Sequence, residues 1–398
     1  MTSNWETVRL GDIAATRLGK TLPRGAGQSP EGLPYLRNAN LQWGNVDLRQ
    51  LNKMPFTGEE QVEYDLRKDD ILVCEGGEVG RSAILSADLP GIYFQNAIHR
   101  VRVLSESADP RFVALSLEHL VRSGGLEGLT SQLTIAHLNQ AKLRSLPIAL
   151  PPLIQQRRIV DLIGSLDEVI GAKRYHRAAA VDLYNELVVA AVSTNAPKRS
   201  LGDALSASMT SAQVIASEAY RIVGLERSGQ GFIDRGEAVG ADIGYAKLTR
   251  VEEDQLVYRK LTAWEGPISV SDQDVAGSWV SGEFPVFDID RNVLLPGLLR
   301  HICRWPGFWD LMAARLTGSV LRRKRLNPNQ LMEIELPMPE LGEQEAHLAN
   351  LDAAWNATMT LSESLDALGV LRSELLTALL SGLHEIPPSY DEMMALER

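Results

Sequence analysis

Leu146-Pro147-Ile148-Ala149-Leu150-Pro151-Pro152-Leu153-Ile154-Gln155-Gln156-Arg157-Arg158-Ile159-Val160 runs from a β-like stretch through a double proline into a long helical pattern. The chain writes this passage twice. The second copy, Leu336-Pro337-Met338-Pro339-Glu340-Leu341-Gly342-Glu343-Gln344-Glu345, is looser. Working outward, Leu10-Gly11-Asp12 returns as Leu201-Gly202-Asp203, and Leu138-Asn139 returns as Leu326-Asn327. The offsets, in chain order, are 191, 188, 190, 188 and 188, so the two frames stay in step. One globular unit followed by one helix, repeated, suits a protein that grips two related sites at a fixed separation.

Pro151-Pro152 fits the first turn of a helix, and the helical pattern fades before Asn195-Ala196-Pro197. Ile159, Leu162, Leu166, Val169, Lys173, His176, Ala180, Leu183, Leu187 and Ala190 alternate spacings of three and four. This predicts a heptad seam, polar only at Lys173 and His176. A second helix opens after Pro339, with Glu343 and Glu345 in its first turn, where the helix dipole favours acids. It stops near Gly382, before Pro387-Pro388. Its apolar positions include Leu348, Leu351, Trp355, Leu361, Leu365, Leu368, Leu375 and Leu379. Gly164, Gly171 and Gly369 each cost a helix about 1 kcal/mol, so each helix needs a partner. Some 40 residues make a rod of roughly 60 Å. The simplest arrangement packs the two on each other, antiparallel, with a globular unit at either end. The alternative is that each helix lies on its own domain as core.

The expected fold is therefore α+β: two tandem mixed α/β domains separated by two long helices that form an antiparallel coiled coil. The divisions read as 1–150, first domain; 151–195, first helix; 196–340, second domain; 341–385, second helix; 386–398, tail. In the first domain, Asp70-Ile71-Leu72-Val73, Arg81-Ser82-Ala83-Ile84-Leu85, Tyr93-Phe94 and Ile98–Val103 read as strands, with a turn at Gly76-Gly77. In the second, Tyr220–Val223, Trp264, Ile268–Val270 and Pro285–Phe287 are β-like.

The net charge of −11 is not spread evenly. It is −1 over residues 1–150, zero over 151–195, −2 over 196–340 and −8 over 341–398. The acidity belongs to the last helix and tail, so both domains can still bind DNA through a local basic face. An acidic helix also suits a basic helix on a partner subunit. Cys74 and Cys303 have no metal-ligand spacing and read as core filler in a reduced, cytoplasmic setting. The amino terminus has no secretory pattern, and no segment approaches the ~20 apolar residues of a membrane span.

Enzymatic motifs are missing. No phosphate loop is present, and neither Gly25-Ala26-Gly27 nor Gly229-Gln230-Gly231 completes a dinucleotide or S-adenosylmethionine cradle. Asn327-Pro328-Asn329-Gln330 lacks the aromatic of an amino-methyltransferase motif, and Glu75 and Glu78 after Asp70 lack the lysine of a nuclease set. The positive signals point to DNA. Arg322-Arg323-Lys324-Arg325, before Asn327, is the densest cationic run, and guanidinium groups suit both phosphates and guanine edges. The matching place in the first domain holds Gln132, Thr134 and His137 instead, as two readers of different sequences would. Arg81 in the glycine turn reads as a backbone contact or as part of a tight hairpin. His99 shares its strand with Arg100 and Arg102, which read as DNA contacts or as cross-strand ion pairs. Asn38, Asn40 and Gln42 read as adenine contacts or as ordinary loop amides.

Taken together the chain resembles the specificity subunit of a type I restriction–modification system. The residues that carry the likeness are Trp5-x-x-Val8-x-Leu10-Gly11-Asp12, Asp70-Ile71-Leu72-Val73…Gly77-Glu78-Val79-Gly80-Arg81, and above all the passage from Leu146 to Val160. In the second domain no glycine hairpin is evident, and Ser271-Asp272-Gln273-Asp274 sits nearby instead. The resemblance implies two target-recognition domains, each reading half of a bipartite, asymmetric double-stranded DNA site, with the helices gauging the spacer. It implies two modification (methyltransferase) subunits docked on the helices and supplying S-adenosylmethionine. It further implies restriction subunits adding ATP-driven translocation and cleavage, and no cofactor or catalytic residue in this chain. Two other readings stand beside it: a coiled-coil adaptor that never touches DNA, and a fused methyltransferase or nuclease.

Overall fold

Ile71–Cys74 is apolar and buried along its whole length, so it takes a central place in a sheet covered on both faces. The computed structural model describes residues 5–21, 31–126, 137–193, 195–317, 324–382 and 384–396. These fall into two compact units, residues 1–172 with 365–398, and residues 173–364.

In the first unit the sheet order is Ala14–Leu18, Ile98–Val103, Ile71–Cys74, Ser82–Ile84, every neighbouring pair antiparallel. A separate two-stranded ribbon joins Glu6–Arg9 to Pro147–Leu150. The helix Pro110–Arg122 begins at Asp109, whose carboxylate accepts from the Arg111 and Phe112 N–H groups. It buries Phe112, Val113 and Leu117. Such a cap contributes about 1 kcal/mol.

The second unit repeats this plan. Its sheet order is Leu205–Ala207, Val286–Ile289, Gln255–Tyr258, Ile268–Val270, again antiparallel throughout. Lys198–Ser200 pairs with Glu335–Pro337 as the first ribbon does. The duplication inferred from the sequence is thus a duplication of topology, with one correction of register. The Leu10 N–H donates to the Leu146 carbonyl at 2.9 Å, and the Leu201 N–H to the Ile334 carbonyl at 2.8 Å. Leu146 therefore corresponds to Ile334 rather than to Leu336, and buried Ile148 is the position matched by buried Leu336.

The repeated glutamine has a physical reason. Gln156 is fully buried; its Oε1 accepts from the Asp109 N–H, and its Nε2 donates to the Ser107 and Pro151 carbonyls, all at 2.8 Å. Gln344 is equally buried. Its Oε1 accepts from Leu295 N–H at 3.0 Å, and its Nε2 donates to Val293 and Pro339 carbonyls at 2.8 and 2.9 Å. Each amide ties the start of a domain helix to the start of a long helix.

Those long helices run unbroken over Leu153–Val192 and Leu341–Leu380. Asp167 meets Arg372 in the first unit, and Tyr184 meets Trp355 in the second. Seventeen residues forward on one helix is seventeen back on the other, so the pairing is antiparallel in constant register. The seam is displaced from the expected one. Ile163, Ile170, Tyr184 and Ala191 are buried, each one residue beyond Leu162, Val169, Leu183 and Ala190. Val169 and Leu183 are about half exposed. The reason is competition between two faces: Ile159, Val160 and Ile163 share one cluster with Phe112 of the domain and with Leu376 and Leu379 of the other helix. The segment after the second helix also packs. Ile386 is buried, and Arg158 donates to the Ile386 carbonyl and to Asp391, in the helix Ser389–Leu396.

Among the described residues no helix is long and apolar enough to cross a membrane. Cys74 and Cys303 are both free and buried, and burial pushes the Cys303 thiol up to about 12, so neither is poised to react.

Candidate nucleic-acid interface

The glycine turn between Ile71–Cys74 and Ser82–Ile84 is held from three sides. Gly80 has φ +83°, and a Cβ there would lie 2.6 Å from Val121, so both the backbone and the packing require glycine. Arg81 donates from Nη1 to Glu78 at 2.9 Å and from Nη2 to the Asn38 carbonyl at 2.8 Å. Asn38 returns a bond from Nδ2 to the Gly76 carbonyl at 3.0 Å. The Trp43 indole donates to the other Glu78 oxygen at 2.5 Å, while Arg122 lies 4.6 Å above the Trp43 ring. The Trp43 hydrogen bond is the first cause holding the Glu78 carboxyl below its ordinary range. Neither Trp43 nor Arg122 is singled out by the sequence, because a lone tryptophan and a helix arginine follow no spacing rule.

Several expected contacts prove to be structural. His99 is fully buried, with Nε2 bonded to the Leu138 carbonyl at 2.8 Å, so it is a core residue. Asn40 is also buried; its Oδ1 accepts from Arg37 N–H and its Nδ2 donates to the Asp47 and Gln50 carbonyls. It organises its loop and has no free edge for a base. Arg100 pairs with Asp65 at 2.7 Å, and Arg102 with Asp70 at 2.6 Å and Asp65 at 3.2 Å. The strand's alternating arginines thus answer nearby carboxylates, as the ion-pair alternative expects. Arg81 and Asn38 serve the turn before anything else.

His137 is exposed; Gln132 and Thr134 lie outside the described residues. So do Arg322 and Arg323, while Lys324 is half-buried and Arg325 exposed. Arg325 pairs with Glu283 at 3.2 Å and exchanges both backbone bonds with Thr317. Asn327 starts the helix Pro328–Met332, its N–H donating to the Gln330 side chain, and Asn139 caps Gln140–Arg144 in the same place. Helix initiation therefore accounts for the repeated asparagine.

Leu138 and Leu326, which follow the two expected reading segments, nevertheless occupy equivalent positions. The Leu138 N–H donates to the Glu75 carbonyl, on the first turn, at 2.8 Å. The Leu326 N–H donates to the Lys260 carbonyl at 3.0 Å. In place of His99, the Tyr258 hydroxyl donates to the Leu326 carbonyl at 2.8 Å. The second turn is thus Arg259–Pro267, not Ser271–Asp274, and its φ +71° at Gly266 sits where a Cβ would strike Trp309. Arg259 bonds the Leu261 carbonyl and Thr262 across it. Each unit therefore presents a hairpin end to which the backbone of Leu138 or of Leu326 is bonded.

Burial also lowers the pKa of His99 and of His301 from 6.5, although Asp352 bonds His301 at 2.9 Å. Folded, both stay neutral below the pH at which an unfolded histidine charges, so their stabilisation is complete above about pH 6.5 and falls away as pH drops beneath it. Melting temperature should be flat from pH 8 to 7 and decline toward pH 5. In the double variant His99→Gln/His301→Gln that decline should be shallower; an unchanged profile would contradict the assignment.

Residues 2–180 match the type I restriction modification DNA specificity domain. The type I restriction enzyme EcoEI specificity subunit of Escherichia coli is 26% identical over 180 residues, 42% of this chain and 29% of that protein. The MjaVIII specificity subunit of Methanocaldococcus jannaschii is 26% identical over 175 residues, 42% of this chain and 37% of that protein. The matched stretch thus spans about a third of the curated relatives' length. A type I restriction–modification S subunit from M. genitalium superposes with a TM-score of 0.58 at 14% identity, over 94% of this chain and 96% of that one. That likeness is one of fold.

Proposed function

From the match of residues 2–180 to the type I restriction modification DNA specificity domain, we propose that this chain is the non-catalytic DNA-reading subunit of such a system. Each unit reads one half of a bipartite, asymmetric duplex site, and the antiparallel helices set the spacer between the halves. Two modification subunits dock on those helices and bring S-adenosylmethionine; restriction subunits bring ATP-driven translocation and cleavage. This chain binds neither cofactor and directs the chemistry by position alone.

The observation that carries the proposal is the repeated hairpin end. Two sheets of the same strand order bond Leu138 and Leu326 beside equivalent turns, and the sequences that lead into these two leucines differ. A shared scaffold supports affinity through phosphate contacts, while the segments that differ supply sequence. Neutralising Arg322, Arg323, Lys324 and Arg325 together to glutamine tests it in the assembled complex. Affinity for target duplex should fall, and its salt dependence should become shallower by about 0.9 log unit for each phosphate that is no longer neutralised. An adaptor that never touches DNA would bind no duplex in either form.

A further inference from the structure

We propose that the middle of the first long helix is a third DNA contact, in which Lys173, Arg174 and Arg177 hold backbone phosphates of the spacer between the half-sites. The proposal rests on the DNA-reading function above but is not required by it.

Arg174, His176 and Arg177 are exposed and Lys173 is half-buried. Tyr175 beside them is 74% exposed, with its ring against His176. The side chains of Lys173, Arg174 and Arg177 make no ion pair or hydrogen bond to any described residue. No aspartate or glutamate occurs from Val169 to Val181; of the two carboxylates just before that stretch, Asp167 is engaged by Arg372 and Glu168 is exposed. At about 100° per residue the three cations fall within one arc of about 100°. They span about 6 Å of helix axis, a distance that meets roughly two phosphates of one strand.

The seam makes the run more pointed. Ile163, Ile170, Tyr184 and Ala191 stand at steps of seven, and the missing step is Arg177. A charged side chain at a position where the heptad calls for an apolar one gives up burial that would help the helices pair. The second long helix offers no equivalent: His347 and Arg372 are its only basic residues. The basic face is a property of one helix in an otherwise acidic spine.

The side-chain types choose the ligand. Three long cations on one face match the charge of backbone phosphates, and no asparagine or glutamine from Val169 to Val181 stands beside them to read an adenine. A spacer whose sequence is not read needs that kind of contact. Residue 173 opens the second half of the 40-residue helix, the place nearest the centre of a ruler.

The test uses the complex assembled with its methyltransferase subunits and a duplex carrying the site mapped from methylation. In Lys173→Gln/Arg174→Gln/Arg177→Gln, the slope of log K against log salt should become shallower by about 2, at about 0.9 per phosphate, with the recognised bases unchanged. A duplex with uncharged methylphosphonate linkages in the spacer should bind the parent complex more weakly and the variant no differently. The second measurement needs no altered protein on its parent arm, so a folding defect cannot mimic it. An unaltered slope, or an equal methylphosphonate penalty in both complexes, overturns the proposal. So does a variant that sheds its methyltransferase subunits, which would assign the patch to an acidic protein surface. Absence of any sequence-specific binding by the parent complex would refute the DNA-reading function instead.

Discussion

Gln156→Leu is expected to destabilise the first unit by about 3–5 kcal/mol, most of the stability of many single domains. Leucine fills the space but leaves the Asp109 N–H and the Ser107 and Pro151 carbonyls without their partner. Each orphaned buried group costs about 1–3 kcal/mol. Gln344→Leu should do the same to the second unit through Leu295, Val293 and Pro339. Urea denaturation followed by hydrogen exchange should localise each effect, around Ser107–Phe112 in one variant and Val293–Leu299 in the other. A destabilisation under about 0.5 kcal/mol, or exchange rising evenly along the chain, would remove the glutamines from this role.

The second large effect belongs to Arg372. It bridges Glu118 of the domain helix at 2.9 Å and Asp167 of the first long helix at 2.5 Å. The Glu118 side chain is only 12% exposed, so Arg372→Met strands a desolvated carboxylate. Breaking a buried pair from one side costs about 3–5 kcal/mol. Here about 2–3 kcal/mol is expected, because Asp167 faces solvent and Arg122 still pairs with Glu118 at 3.1 Å. Adding Glu118→Gln to Arg372→Met should restore most of that stability in a double-mutant cycle. Strictly additive effects would mean that the arginine acts through packing alone.

Much of this architecture is legible in the sequence because it depends on local patterns. The repeated Leu-Gly-Asp, Leu-Asn and proline–glutamine passages mark the ribbon, the staple and the start of each long helix, all positions with specific backbone demands. Ile71–Cys74 announces itself as an apolar run, whereas its counterpart Gln255–Tyr258 does not, since Gln255 is a buried amide satisfied by Asp288 and Ser208. The seam falls one residue from its expected place because apolar spacing alone does not say which of two packed faces the helix presents. The candidate site is the least legible part. Arginine, histidine and asparagine draw attention by their chemistry, but partners decide their use, and those partners are distant in sequence: Asp65 for Arg100, Leu138 for His99, Gly76 for Asn38.

The claim on which the rest depends is that each unit reads its own half-site. Exchanging residues 1–150 for those of another specificity subunit and sequencing the methylome of cells carrying the hybrid tests it most directly. One half of the methylated site should change while the other half and the spacer length stay as they were. Altered bases in both halves would contradict it.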